Sequence, residues 1–444
     1  MKSEFIGQVK NAGIVGAGGA GFPTHVKLNL GPEILIANCA ECEPLLECDK
    51  VLLRRHPELV AAGLAESVEE LGAARGVFAV KRKNADIVGK LKKAIGANKK
   101  LSVFQLDDYY PAGDEQQVVY EVTGRHVPPG GLPVQVGALV LNAATLRAVA
   151  QRRERPMISR YVTVCGEVER PGTYETPVGT PVRDLIDLCG GATCCDYRVI
   201  IGGPAMGRLT ENPDGEYVAK TTGGVVVLPA DSVVVSRKSP DFDHQAKIAK
   251  SACCQCNYCT LICPRNQLGL GVHPNVIMQA VNLSDSQVLE RGGHALGCCD
   301  CGLCTFVGCS MGLAPGRFTF SVRQALLKKG VKPDTSKPVV PDPMREFQKM
   351  PSERLIARMG LTKYSGVHAD YRGEIAPRRV RVLLRQHVGK ACAPAVRKGD
   401  AVRAGDLVGA LGEGDLGAPV HASISGTVTA ACGEYVEIAG GGRA

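Results

Sequence analysis

Tryptophan is absent from the 444 residues, and all aromatic residues together make up only 5% of them. Single-stranded nucleic acid needs rows of stacking rings, so that binding mode is poorly served. No uncharged apolar run approaches the roughly 18 residues that a spanning helix requires, and the opening MKSEFIGQVK lacks the apolar stretch of a secretory signal. The chain is therefore expected to be cytoplasmic and not transmembrane. Charge is not extreme either: 22% charged and 45% hydrophobic residues, with a formal net charge of +9, exclude wholesale disorder and leave room for several domains. The basic stretches Lys81 to Lys100 and Arg378 to Arg403 carry no interleaved aromatics and read as solvated faces, with no nucleic acid partner expected.

What the chain does have is cysteine, 19 residues of it. A reducing compartment makes these metal ligands or buried thiols rather than disulfides. Cys253, Cys256, Cys259 and Cys263, followed by Pro264, spell C-x2-C-x2-C-x3-C-P, and Cys298, Cys301, Cys304 and Cys309 repeat the motif with one extra residue before the last cysteine. Three thiolates from one tight loop can occupy three corners of a cubane, and in two-cluster ferredoxins the fourth ligand comes from the other motif. This assigns Cys253, Cys256, Cys259 and Cys309 to one 4Fe-4S cluster, and Cys298, Cys301, Cys304 and Cys263 to the other. Four-cysteine zinc modules instead space their ligands as two separated pairs. Cys254 and Cys299 are expected to be spectators, and the stretch between the motifs, Asn275 to Arg291, to be a helix with Ser284 and Gln287 spaced as a capping box.

The N-terminal region is rich in glycine. Ile14 to Thr24 reads IVGAGGAGFPT, where the missing side chains of Gly16, Gly18, Gly19 and Gly21 let backbone N–H groups approach a phosphate. Strands are expected at Glu33 to Ala37, Gly76 to Val80 and Leu101 to Leu106, with helices at Pro57 to Leu71 and, capped by Asn84, Asn84 to Ile95. This alternation implies a Rossmann-like α/β nucleotide-binding layer. Three segments, GAGGAGFPTHVK, NCAECEP, and AGDEQQ with LNAATL, resemble the flavin-binding subunit of respiratory complex I and its relatives. The resemblance implies that Gly16, Gly18, Gly19, Gly21, Lys27, Asn38, Glu41, Asn142 and Thr145 hold FMN. It also implies that Phe22, Glu43 and Glu115 contact NADH. Asp114 and Gln116 depart from that family's more frequent residues, as do Cys39 and Cys42. Cys39, Cys42 and Cys48 are not read as a third metal site, since no fourth ligand is near in sequence. Cys165, Cys189, Cys194, Cys195, Cys392 and Cys432 read as buried small apolar side chains.

Tyr161 to Leu228 shows short strands, Pro-Gly turns and a helix ending at Gly190 and Gly191, and it resembles the soluble-ligand-binding β-grasp (SLBB) domain; GGPAMG at Gly202 to Gly207 reads as a turn. Lys328 to Pro377, rich in Pro and charge, reads as an extended linker. From Arg378 the sequence resembles the barrel-sandwich hybrid of lipoyl carriers, but Gly412 to His421 holds no lysine to modify, so a carrier role is not expected, and His421 reads as a surface or turn histidine. The expected fold is thus multidomain α/β and β. An FMN/NADH-binding domain spans 1–155, a β-grasp domain 156–240, and a ferredoxin-like domain with two 4Fe-4S clusters 241–328. A linker over 329–377 and an unmodified barrel-sandwich hybrid over 378–444 follow.

In this order the parts resemble the cobalamin reductases of propanediol-utilisation microcompartments. That family implies an NADH-dependent oxidoreductase that passes electrons through FMN and two clusters to a corrinoid. It also implies a cytoplasmic place inside a bacterial microcompartment, with an adenosyltransferase and a shell protein as partners. The alternatives are an electron-transfer component of an Rnf-like or other multi-enzyme redox complex, and an assembly adaptor whose clusters are structural. No general acid or base is expected, because hydride and electron transfer depend on placement and potential.

Overall fold

The computed structural model describes residues 2–440 apart from 240, 281–286, 288–292 and 336–338. Four parallel strands, β1 (Ile34–Asn38), β2 (Arg75–Lys81), β3 (Leu101–Leu106) and, beyond the two-residue β4 (Tyr109–Tyr110), β5 (Ala138–Asn142), form one sheet in the order β3-β2-β1-β5. Alternate residues face its two sides, as strand geometry demands. Leu35, Ala37, Phe78, Val80, Leu139 and Leu141 enter one core, while Ile34, Ile36, Val77, Ala79, Ala138 and Val140 enter the other. The helices Pro57–Leu71 and Ala143–Gln151 cross so closely that a Cβ on Gly63 would lie 2.1 Å from the Leu146 carbonyl oxygen. The register pairs Asn38 with Asn142 at the carboxyl ends of β1 and β5. Ligands of open α/β sheets bind at such an edge.

The second sheet comprises β6 (Ser159–Gly166), β7 (Gly172–Pro177), β8 (Tyr197–Ile201), β9 (Arg208–Thr210) and β10 (Gly224–Pro229), with the helix Val182–Leu188 packed on it. Short helices then carry the cysteine motifs, and Cys263 stands at the N-terminus of the helix Pro264–Gln267. The C-terminal barrel consists of two small antiparallel sheets around Val380, Val382, Val408, Val420, Val436 and Ile438.

Several expectations are corrected. The segment expected as an extended linker is folded: it makes the helices Arg345–Gln348 and Ser352–Arg358, the strand β11 (Met350–Pro351) paired with β4, and the strand β12 (Tyr371–Glu374), which extends the second sheet beside β7. Its prolines and charges did not prevent burial, because Arg345 and Met350 insert into the other domains. Asn84 occupies the cap position of the helix Ala85–Ile95, but its side chain makes no capping bond. Lys81, placed on a solvated basic face, is buried and donates to Asp108 and Ser352. His421 is buried in a barrel strand. Cys194 is only half-buried, and Cys195 and Cys432 are exposed. Pro274–Ala280 is helical; Ser284 lies outside the described residues, and with it the expected capping box.

Candidate functional site

The glycine loop leaves the buried Val15 and returns through the Gly16 N–H bond to the Phe22 carbonyl at 2.8 Å. Gly19 and Gly21 have φ of 112° and 66°, in the left-handed region where a Cβ is penalised. Thr145 accepts from the Ala17 N–H at 2.9 Å. Gly18 faces Asn142, whose Cβ would be 3.6 Å from a Cβ on the glycine. Among the described residues the N–H groups of Gly18, Gly19 and Ala20 have no hydrogen-bond acceptor, and all three residues are exposed. Three successive open donors beside the N-terminus of the helix Ala143–Gln151 suit the phosphate of a nucleotide.

The carboxyl edge of the sheet supplies the rest. Asn142 caps that helix by accepting from the Ala144 N–H at 2.8 Å, and its amide donates to Asp49 at 2.6 Å. Asn38 donates to the Gly113 carbonyl at 2.8 Å. Glu41 turns back at a φ of 28° to accept from the N–H groups of Asp49 and Lys50 and from the Cys48 thiol. Burial pushes Glu41 and Asp49 up together, and the charge of Asp49 raises Glu41 further. Lys27 and Glu115 pair at 2.6 Å across the mouth of the site, both partly exposed, and Phe22 is partly buried beside the loop. Asp49 was not singled out in the sequence; its only mark there is its place as an acidic residue in a helix's first turn.

Glu43, expected beside NADH, is held by the GGPAMG stretch and by Tyr110. Its carboxylate accepts from the N–H groups of Ala205 and Met206 at 2.9 and 3.2 Å and lies 3.1 Å from the Tyr110 hydroxyl. A Cβ on Gly203 would lie 2.0 Å from the carboxylate, so a larger residue there would displace Glu43. The GGPAMG stretch, read as a mere turn, is thus a cradle for a half-buried acid, and its partial desolvation pushes Glu43 up.

The two cysteine motifs fold alike. Gln255 and Asn257 in the first, and Asp300 and Gly302 in the second, occupy matching positions with φ of 54°, 62°, 56° and 76°, curling each loop around its thiols. Cys263, Cys298, Cys301 and Cys304 line one cavity that is partly open to solvent. Burial pushes the Cys259 thiol up to about 12, and Cys309, Cys256 and Cys253 add to the rise as its neighbours. A Cβ on Gly308 would lie 2.8 Å from the Cys259 Cα and 3.0 Å from the Cys304 Cα, so the two groups of thiols adjoin. Among the described residues no three His, Cys, Asp or Glu side chains converge on a single ion; the four thiols surround a space instead, as a cubane requires. Cys299, expected to be a spectator, also lines the cavity, while Cys254 is exposed. Cys42 and Cys48 make single hydrogen bonds, to the Gly113 N–H and to Glu41.

The cavity abuts the flavin side. The Tyr110 hydroxyl reaches the Cys301 carbonyl at 2.8 Å, Gln117 donates to the Pro264 carbonyl at 2.7 Å, and Arg265 pairs with Asp114 at 2.6 Å. Tyr110 and Arg265 were absent from the residues singled out in the sequence, and Gly203 was read there only as part of a turn, because each meets a partner in a distant part of the chain.

Comparison with known proteins agrees with these parts. Residues 9–151 match the Nuo51 FMN-binding domain, 161–209 the SLBB domain, 252–314 a 4Fe-4S dicluster domain and 363–440 the RnfC barrel sandwich hybrid domain. The chain is 37% identical to the cobalamin reductase PduS of Citrobacter freundii, over 95% of this chain and 93% of that one. It is 36% identical to the cobalamin reductase PduS of Salmonella typhimurium, over 98% and 96% of the two chains. One component of the Na(+)-translocating ferredoxin:NAD(+) oxidoreductase complex of Acetobacterium woodii is 38% identical over 58% of this chain and 56% of that one. An FMN-binding domain and a dicluster iron–sulfur domain are therefore present in one oxidoreductase chain.

Proposed function

The chain belongs to the family of the PduS cobalamin reductases, and from that premise we propose that it moves electrons from NADH through FMN and two 4Fe-4S clusters to a corrinoid. The observation that carries this reading is the direct junction of the two sites through Tyr110, Gln117 and the Arg265–Asp114 pair. When bound, FMN takes the hydride of NADH and releases its electron pair singly, and the clusters carry one electron at a time.

The chain's own part is placement. Gly16, Gly18, Gly19 and Gly21 offer their backbone to the flavin nucleotide, with Lys27, Asn38, Glu41, Asn142 and Thr145 around it. Phe22 and Glu115 border the face open to NADH, and Glu43 supports the junction rather than the nicotinamide. Cys263, Cys298, Cys301 and Cys304 hold the cluster next to the flavin domain. Cys253, Cys256, Cys259 and Cys309 hold the other, whose loop presents the exposed Cys256 and forms the exit. One NADH supplies two electrons, enough for two one-electron reductions of a corrinoid cobalt from the cob(II) to the cob(I) state. The same reading places the chain in the cytoplasm inside a microcompartment, beside an adenosyltransferase that consumes the reduced corrinoid and a shell protein.

Anaerobically purified protein titrated with NADH, then mixed with cob(II)alamin, tests the proposal. Bleaching of the flavin and cluster bands followed by cob(I)alamin formation is expected. An NADH-inert spectrum would overturn the reading. The second reading, a component of an Rnf-like complex, is favoured by the barrel match at 363–440; it predicts full bleaching with no corrinoid reduction.

A further inference from the structure

The C-terminal barrel has no lysine at the tip where a carrier is modified, yet it touches the flavin side at a specific place. We propose that this barrel is a brace for the glycine loop, holding both ends of Gly13 to Gly21 through Lys220 and the backbone of Val388, so that the flavin site is built from three domains rather than one.

The contacts fall on the two flanks of the loop. At its start, the fully buried Lys220 donates through Nζ to the Gly13 carbonyl at 2.7 Å and to the Pro419 carbonyl of the barrel at 2.9 Å. The Lys220 N–H donates to the barrel's Gln386 Oε1 at 2.8 Å. A Cβ on Gly13 would meet the Pro419 oxygen at 2.3 Å, Lys220 Nζ at 2.8 Å and His421 Nδ1 at 3.1 Å, so glycine alone permits this approach. At the loop's end, the Val388 N–H donates to the Gly21 carbonyl at 3.0 Å. A Cβ on Gly21 would be 3.2 Å from the Gln386 carbonyl and 3.2 Å from Thr221 Cγ2. Between these two anchors Gly18, Gly19 and Ala20 are exposed.

Burial lowers the Lys220 pKa to about 7, and its Nζ is satisfied by the two carbonyls it donates to. A buried amine is costly unless its bonds are made. Both bonds are made here, one to each side of the junction. An anion-binding loop gains affinity when its donors are held ready rather than ordered on binding.

The inference uses the flavin reading for one of its two readouts only. Amide hydrogen exchange of the full-length, cluster-loaded protein would be compared for the natural chain, Lys220→Met, Val388→Pro and the control Val388→Ala, which keeps the N–H. FMN affinity would be measured alongside by flavin fluorescence quenching. The expected result is about tenfold faster exchange across residues 12–22 and about tenfold weaker FMN binding in Lys220→Met and Val388→Pro. Val388→Ala should match the natural chain, and β6 to β10 should stay protected in all. Unchanged loop exchange in both variants would overturn the brace. So would loss of protection over the whole chain, since the contacts would then maintain the fold and not the loop. Should the natural chain fail to bind FMN, the flavin reading falls, while loop exchange still decides the brace.

Discussion

Tyr110 is the residue through which the flavin side and the cluster side meet most directly. Its ring is fully buried, and its single hydroxyl lies between Glu43 and the Cys301 carbonyl. Tyr110→Phe keeps the packing and removes the donor. We expect a stability loss of about 1 kcal/mol and a shifted reduction potential for one cluster only, read by potentiometry with paramagnetic resonance. Hydrogen bonds near a cluster tune its potential. A pair of unchanged potentials would show the hydroxyl to be mere packing. Cys263 and Cys309 are the two positions that separate crossed from uncrossed ligation. Cys309→Ser should disturb the cluster of Cys253, Cys256 and Cys259, and Cys263→Ser that of Cys298, Cys301 and Cys304. Each should lower iron from about eight to about four per chain, and the resonance that disappears identifies the partner motif.

Among the elements, the helix Ala143–Gln151 does the most positioning. Its N-terminus faces the glycine loop through Asn142 and Thr145, while further along Arg147 reaches β7 and pairs with the buried Glu175 at 2.8 Å. Burial alone would raise the Glu175 carboxyl, but Arg147, Ser159 and Arg155 outweigh it and bring it down to about 2. A carboxyl depressed from the ordinary value near 4.5 stabilises the fold fully above that pH, and the contribution disappears as pH falls toward 2. Its size is about 3 kcal/mol by linkage. The unfolding free energy measured by denaturant titration should therefore fall between about pH 5 and 2 in the natural chain. In Glu175→Gln that part of the slope should be missing. An identical pH slope in both would remove Glu175 from the account.

At the scale of the whole molecule, the segment after the clusters acts as a strap. Arg345 is 3% exposed and donates to Gln117 and Glu121 on the flavin-domain helix Glu115–Thr123, at 2.6 Å each. Farther on, β12 adds a strand to the second sheet. Arg345→Ala leaves Gln117 and the half-buried Glu121 without their shared donor, though Lys349 stays 3.0 Å from Glu121, and costs about 1 to 3 kcal/mol. Proteolysis within residues 339–370 should accelerate, and an unaltered digestion pattern would show that the strap is held elsewhere.

The parts of this protein that depend on neighbours in sequence were legible in it. The cysteine spacings, the glycine run and the apolar periods of β1 to β3 and of Pro57–Leu71 all follow from local geometry: a loop can wrap a cluster only with close ligands, and a strand or helix buries a face only at its own period. Composition misled where burial came from afar. Pro and charge hid a strap that packs against other domains, and a basic run hid the buried Lys81. What only the tertiary structure decided was which distant groups face each other: Glu43 with the Gly203 cradle, Tyr110 with Cys301, Lys220 with Gly13 and Pro419. Nothing in either local stretch encodes these contacts, because each bond exists only after the domains have buried their own cores and brought their edges together.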